Sequence, residues 1–173
     1  MELETLVCAA KKHDAAAFAK LYEQIYRELY QFAYYMLRHS EDAKDVVSET
    51  VTDAWETIEK LEKETSFRAW MFSILSNKCR RKRKDYLNRP GELSDELQNS
   101  LPAEEHLSGE ERLQIREAYA RLDEIEQQII GLHVFGGYKT REIASLLHMN
   151  ENTVRSREHR ALKKMRDALN VND

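Results

Sequence analysis

Lys139–Arg166 reads KTREIASLLHMNENTVRSREHRALKKMR, and its spacing predicts two short helices joined by a tight turn. Ile143, Ala144 and Leu147 fall on one apolar face of the first. His148-Met149-Asn150 is a polar break, and the Asn150 side chain is placed to accept from the free amides that open the second helix. Val154, Ala161, Leu162, Met165 and Leu169 then form an inner stripe, while Arg155, Ser156, Arg157, His159 and Arg160 point elsewhere. A helix with an arginine-rich, short-polar outer face, held by a preceding helix, matches the major groove of DNA. Arg makes two hydrogen bonds to a guanine edge, and Ser or Asn reaches base edges or phosphates. A basic amphipathic helix is also what a plain solvated face looks like; the turn and the two stripes together favour the DNA reading.

Outward from this stretch the chain stays helical. Of 173 residues, 34% are charged and only 5 are Gly and 2 Pro, a composition that suits helices. No alternating strand pattern of useful length is present. Asp14 is placed to cap a long helix whose inner face is Phe18, Leu21, Tyr22, Ile25, Leu29, Phe32, Ala33, Met36 and Leu37. Arg38-His39-Ser40 breaks it, and Ser40 is expected to cap the next, with Glu41 and Asp42 in its first turn. Val46, Val47, Val51, Ala54, Trp55 and Ile58 line that helix; Glu59–Thr65 reads as a loop; Ser66 is expected to cap a third helix containing Phe67, Trp70, Met71, Ile74, Leu75 and Cys79. Trp70 lies on the apolar stripe and is expected in the core.

Arg89–Gly109 differs in character. It holds both prolines and no apolar period, and residues 91–110 carry six acids with no Lys or Arg. It reads as a flexible acidic linker. Ser108-x-x-Glu111 has the spacing of a capping box and opens a second domain, Asp123-x-x-Glu126 opens a further helix, and Gly136-Gly137 ends that helix. The expected fold is therefore all-α, two small helical domains (1–88 and 110–173) joined by the linker 89–109, the second being a helix-turn-helix domain.

The formal net charge of −4 hides basic clusters at Lys78–Lys84 and Arg155–Arg166; distribution rather than net charge sets where a polyanion docks. No phosphate-binding glycine loop, Cys/His metal spacing or nucleophile motif appears, so neither enzyme nor metal or other cofactor is expected. The histidines are scattered. Cys8 and Cys79 are expected as reduced, partly buried thiols. No secretory leader or membrane-length apolar run is read, so a cytoplasmic protein is expected.

Taken in order, the motifs resemble the extracytoplasmic-function sigma factors, the two-domain class of the sigma-70 family. DAKDVVSET (42–50), followed by Ala54-Trp55, resembles the family stretch that grips the clamp helices of RNA polymerase. FRAWMFSI (67–74) with Asn77 resembles the promoter-melting helix, and Leu122–Tyr138, Glu142-Ile143-Ala144 and Thr153–Ala161 resemble the upstream-element reader. The resemblance implies core-polymerase contacts at Asp42, Asp45, Val46, Glu49 and Trp55. It implies minus-10 contacts at Asn77, Lys78, Arg80, Arg81 and Lys82, with Glu59–Ser66 as the rim of a pocket for a flipped base. It implies minus-35 contacts at Arg155, Ser156, Arg157, His159, Arg160 and Lys163, with Lys164 and Arg166 joining Lys163 as phosphate contacts. It further implies polymerase core (the beta-prime clamp and beta flap) and promoter DNA as partners, an anti-sigma factor that in this family is often membrane-bound, and no small-molecule substrate. The linker would thread the polymerase cleft, or serve only as a soluble tether.

Three positions depart from the family pattern: Ser48 where Gln is usual, Glu158 where an apolar residue is usual, and Lys139 where a capping Ser is common. A buried unpaired carboxylate is costly, so Glu158 is expected at the edge beside an Arg. Thr140 is expected to take over the cap. An operator-binding dimeric regulator, or an adaptor that binds polymerase without DNA, stays open on the residues alone.

Overall fold

The computed structural model describes residues 2–87 and 108–170, and every regular element in them is helical. Chain contacts divide the protein into two units, Met1–Gln98 and Asn99–Asp173. The expected linker lies almost wholly outside the described residues; Ser108 and Gly109, at its end, already belong to the first helix of the second unit. Among the described residues no helix is long and apolar enough to cross a membrane.

Unit 1 contains α1 (Leu3–Ala10), α2 (Ala15–Leu37), α3 (Ser40–Thr57) and α4 (Phe67–Leu87), with 3-10 turns at Ile58–Lys60 and Glu64–Ser66 between α3 and α4. Asp14 caps α2, its carboxylate accepting from the Ala17 amide at 3.1 Å. Arg38 ends α2 in the left-handed conformation (φ 57°). The expected Ser40 cap is not what starts α3. His39 takes that place in extended backbone, and its Nδ1 accepts the Asp42 amide at 3.2 Å, which leaves Ser40 inside the helix and 3% exposed. The Glu59–Thr65 stretch is the two 3-10 turns rather than plain loop, and Ser66 closes the second of them. The helix α1 carries no long apolar period and escapes sequence reading; it packs on α2 through Leu6, Val7 and Ala10.

The core of this unit is Phe32 against Phe72 (ring centroids 5.8 Å, edge to face), with Leu21, Leu29, Met71 and Leu75 all fully enclosed. Cys79 is buried among them, which pushes its thiol pKa up, whereas Cys8 is exposed on α1 rather than partly buried; both are free. Trp70 is only half-buried, its ring 6.2 Å from that of Phe67.

Unit 2 contains α5 (Gly109–Ala120), α6 (Glu124–Val134), α7 (Thr140–Leu147) and α8 (Glu151–Asn170). Both capping boxes form: Ser108 N–H donates to Glu111 at 2.7 Å and Asp123 N–H to Glu126 at 3.0 Å, each answered by the return bond. Tyr119 and Gln127 lock α5 to α6, the Tyr119 hydroxyl donating to the Gln127 carbonyl at 2.6 Å and the Gln127 amide to the Tyr119 carbonyl at 3.1 Å. Gly137 turns the chain after α6 with φ 70°. His148, also left-handed (φ 53°), makes the tight turn after α7, and the Asn150 side chain accepts the Asn152 amide at 2.9 Å to open α8.

Candidate nucleic-acid and protein interfaces

The apolar stripe of α8 seats it on α5, α6 and α7. Val154 and Ala161 are fully buried, and Met165 and Leu169 half-buried. Leu162 does not belong to that stripe: it is 43% exposed, because at about 100° per residue it turns past the line running through Val154, Glu158, Ala161 and Met165. The Glu158 side chain is 13% exposed and among the described residues meets no Arg; its partners are His133 Nδ1 at 3.3 Å and the Thr140 hydroxyl, which donates at 3.3 Å. Thr140 is thereby engaged and does not cap α7. Glu142 accepts the Lys139 amide at 2.7 Å instead, and the Lys139 ammonium, which has no acceptor, adds no return bond.

Opposite the stripe, Asn152, Ser156, His159 and Lys163 line up at helical spacing, flanked by Arg155 and Arg160, and all six are exposed. Among the described residues Arg155 meets only Glu151 of its own helix, at 2.8 Å, and Arg160 only the Ser156 carbonyl, at 3.3 Å. Arg157 stands apart from this row: its guanidinium reaches across to Asp123 at 3.2 Å, the residue that caps α6. Lys164 is likewise turned inward, its ammonium 2.7 and 2.9 Å from the two oxygens of the buried Glu126. Residue type and spacing do not single out Asn152. The signal that finds it is its place in the first exposed turn of α8, since the N-terminal residues of a recognition helix meet base edges and Asn pairs with adenine by two hydrogen bonds.

In unit 1 the basic run of α4 divides in a similar way. Lys78 places its ammonium 2.7 Å from Asp53 and 3.5 Å from Glu49, and is 11% exposed. One turn on, Lys82 lies 3.0 Å from Asp42, and one turn further the Tyr86 hydroxyl donates to the other Asp42 oxygen. This row of residues four apart is a seam joining α4 to the acidic side of α3. Asn77, Arg80 and Arg81 remain exposed, with the Arg80 guanidinium 3.4 Å from the Asn77 side-chain oxygen.

On α3, Asp45 and Glu49 are exposed, Glu49 at 64% of its side chain. Val46 is 2% exposed and belongs to the core. Trp55 is half-buried with its ring edge-on to those of His13 (5.5 Å) and Phe18 (5.1 Å). Asp42 is occupied within the unit. Burial pushes its carboxyl up, but hydrogen bonds from Tyr86 and Lys82 outweigh that and leave it below the ordinary Asp range. The same bond to Asp42 raises the Lys82 pKa.

A lowered folded-state carboxyl stabilises the fold above the unfolded pKa, about 3.9, and that stability is lost as pH falls through the folded value. The raised Lys82 contributes below its unfolded pKa of about 10.4 and loses its contribution as pH rises through the folded value. Asp42→Asn is therefore expected to lower stability by about 1–2 kcal/mol at pH 7 and to flatten the loss of stability below pH ~4. Denaturant melts of both proteins across pH 3–7 check this; equal slopes would refute it.

The profile of Sigma-70 region 2 matches residues 21–89, and that of Sigma-70 region 4 matches residues 112–165. The RNA polymerase sigma factor SigL of Mycobacterium tuberculosis, of the extracytoplasmic-function (ECF) class, is 30% identical over 168 residues, covering 94% of this chain and 94% of SigL. SigK of Mycobacterium bovis, of the same class, is 24% identical over 177 residues, covering 98% and 95%. Among solved structures, the sigma factor RpoE of Bartonella quintana, in complex with the anti-sigma factor NepR, superposes with a TM-score of 0.74 at 21% identity, over 90% of this chain and 98% of that one; at that identity the likeness is one of fold. With region 2 and region 4 both present in order, and full-length relatives of the same class, the chain belongs to the extracytoplasmic-function sigma factors of RNA polymerase.

Proposed function

We propose that the protein binds bacterial RNA polymerase core and directs it to promoters by reading a minus-35 element with α8 and opening a minus-10 element with α4. The observation that carries this reading is the row Asn152, Ser156, His159 and Lys163, flanked by Arg155 and Arg160, exposed on a helix whose other side is bolted to its unit. Hydrogen-bonding side chains on the outer face of a supported helix are what major-groove readout needs. Arg157 and Lys164, tied to Asp123 and Glu126, hold the helix rather than read bases. In unit 1, exposed Asn77, Arg80 and Arg81 track the DNA backbone, while Glu59–Ser66 forms the rim of a pocket for an unstacked base.

Asp45 and Glu49 present a negative surface to basic residues of the polymerase clamp, where complementary charge sets register and association rate. The second unit would rest on the beta flap. Domain limits of 1–88 and 110–173, joined by the linker, fit this division of labour. The chain supplies binding surfaces and leaves catalysis to the polymerase, in the cytoplasm. An anti-sigma factor, as in the NepR complex of the Bartonella relative, is the expected inhibitor.

Transcription by core polymerase on fragmented genomic DNA, with and without this protein, tests the proposal. Discrete new start sites sharing two spaced upstream motifs are expected. Tight duplex binding with no protein-dependent starts would instead mark an operator-binding regulator.

A further inference from the structure

The segment between α3 and α4 consists of two short 3-10 turns, closed by the Leu61 amide on the Ile58 carbonyl (3.1 Å) and the Ser66 amide on the Lys63 carbonyl (3.0 Å). Ile58, Leu61 and Phe67 anchor it from beneath, at 0%, 5% and 1% exposure, while Glu59, Lys60, Glu62, Lys63 and Thr65 point outward. Buried apolar anchors fix where such a segment starts and ends. Neither the anchors nor the bond inside each turn ties one turn to the other.

A side chain from far away in sequence does. Lys11 closes α1, its amide donating to the Val7 carbonyl at 2.9 Å. Its ammonium donates to the Leu61 carbonyl at 2.8 Å and to the Glu64 carboxylate at 2.9 Å. One cation thus holds the middle of the segment by its backbone and the second 3-10 turn by its side chain, and hydrogen bonds from a charged donor are the stronger kind. The Glu64 carboxyl is correspondingly held below its ordinary range, the Lys11 hydrogen bond being the largest cause.

The corner that carries Lys11 is itself fixed. His13 sits at φ 62°, and its ring packs on Trp55; Phe18, one turn into α2, meets both Trp55 and Phe67 (6.3 Å between rings). The brace and the segment it holds therefore rest on the same aromatic cluster. Neither α1 nor Lys11 falls within the stretch matched by region 2, residues 21–89.

We propose that Lys11 is a positioning residue for promoter opening: by bridging the Leu61 carbonyl and Glu64 it sets the shape of the Glu59–Ser66 rim and so the base preference at the minus-10 element. This rests on the reading of that rim as a base pocket. A pocket discriminates between bases by donors and acceptors in fixed places, and displacements of about 1 Å are enough to degrade such sites. Lys11 touches no DNA in this scheme; it acts through the segment it holds.

The test uses full-length protein with core polymerase on a panel of promoters carrying every single-base change in the minus-10 and minus-35 elements. Four variants are compared with the parent: Lys11→Met, Lys11→Arg, Glu64→Gln, and the rim double variant Lys63→Ala/Thr65→Ala. Lys11→Met is expected to lower discrimination at a minus-10 position by about tenfold, the size of one well-made hydrogen bond, with core affinity and the minus-35 profile unchanged. Lys11→Arg, which keeps the charge and donors, should restore most of the discrimination. Glu64→Gln, which leaves the Leu61 bond in place, should lose less than Lys11→Met.

A uniform fall in activity with the base profile intact would assign Lys11 a merely structural role and overturn the proposal. So would a parent-like profile in Lys11→Met while the rim variant shifts it, an outcome that leaves the pocket reading standing. If neither variant moves the profile, the pocket reading falls and the proposal with it.

Discussion

Arg160→Ala is expected to lower transcription from the protein's own promoters by roughly five- to 150-fold, the range that corresponds to one base-edge contact of about 1–3 kcal/mol. The side chain is exposed, and its one bond among the described residues is to the Ser156 carbonyl of the same helix. Its removal therefore costs the fold little, and the melting temperature should stay within a degree or two of the parent, since exposed substitutions of this kind fall within about 0.5 kcal/mol. Arg157→Ala is expected to behave in the opposite sense. It breaks the 3.2 Å pair with Asp123 and weakens the seat of α8, but the preference among minus-35 sequences should be kept. Initial transcription rates on a minus-35 panel, with thermal melts in parallel, separate the two. A large change of sequence preference in Arg157→Ala, with none in Arg160→Ala, would reverse the assignment of the two faces of α8.

Gly136→Ala is expected to damage the second unit more than Gly137→Ala beside it. A Cβ there would lie 2.6 Å from the Leu132 carbonyl oxygen and 2.6 Å from the Tyr138 ring. Neither can move aside easily. The Leu132 carbonyl accepts the Tyr138 amide at 3.1 Å, and the Tyr138 ring is 5% exposed. Overpacking of this kind costs about 1–3 kcal/mol or more, which corresponds to roughly 5–20 °C in a unit of this size. The neighbouring Gly137→Ala meets no atom within 4 Å but must hold φ 70°, at a cost of about 1 kcal/mol. Thermal melts followed by circular dichroism should rank the parent above Gly137→Ala and Gly137→Ala above Gly136→Ala. Gly136→Ala melting with the parent would show that the corner relaxes, contrary to the argument. Because this corner precedes α7, the damage should also reach minus-35 use.

The helices of both units were largely legible because their signals are local. A 3.6-residue apolar period and a capping spacing of three residues do not depend on the rest of the chain. Asp14, Ser108, Asp123 and Asn150 all act as caps where their spacing places them. The failures are local as well. α1 is eight residues long and buries only Leu6, Val7 and Ala10, too few for a period to stand out. His39 rather than Ser40 starts α3 because an imidazole nitrogen in extended backbone reaches the same amide that a hydroxyl would.

The site divides along a different line. Residue type and helical face are written in the sequence, so it determined by itself that α8 carries a row of hydrogen-bonding and cationic side chains, that α4 ends in a basic run and that α3 carries an acidic ridge. It did not determine which of those charges face outward. Lys78, Lys82, Arg157 and Lys164 resemble their neighbours in every sequence property, yet each meets a carboxylate on another helix: Asp53, Asp42, Asp123 and Glu126. Asp42 is paired with Lys82 and Tyr86 for the same reason. Only the tertiary structure decided this sorting, because a charge is committed by what lies within about 4 Å of it, and in these units that neighbour comes from residues 25 to 40 positions away, brought close by helix packing.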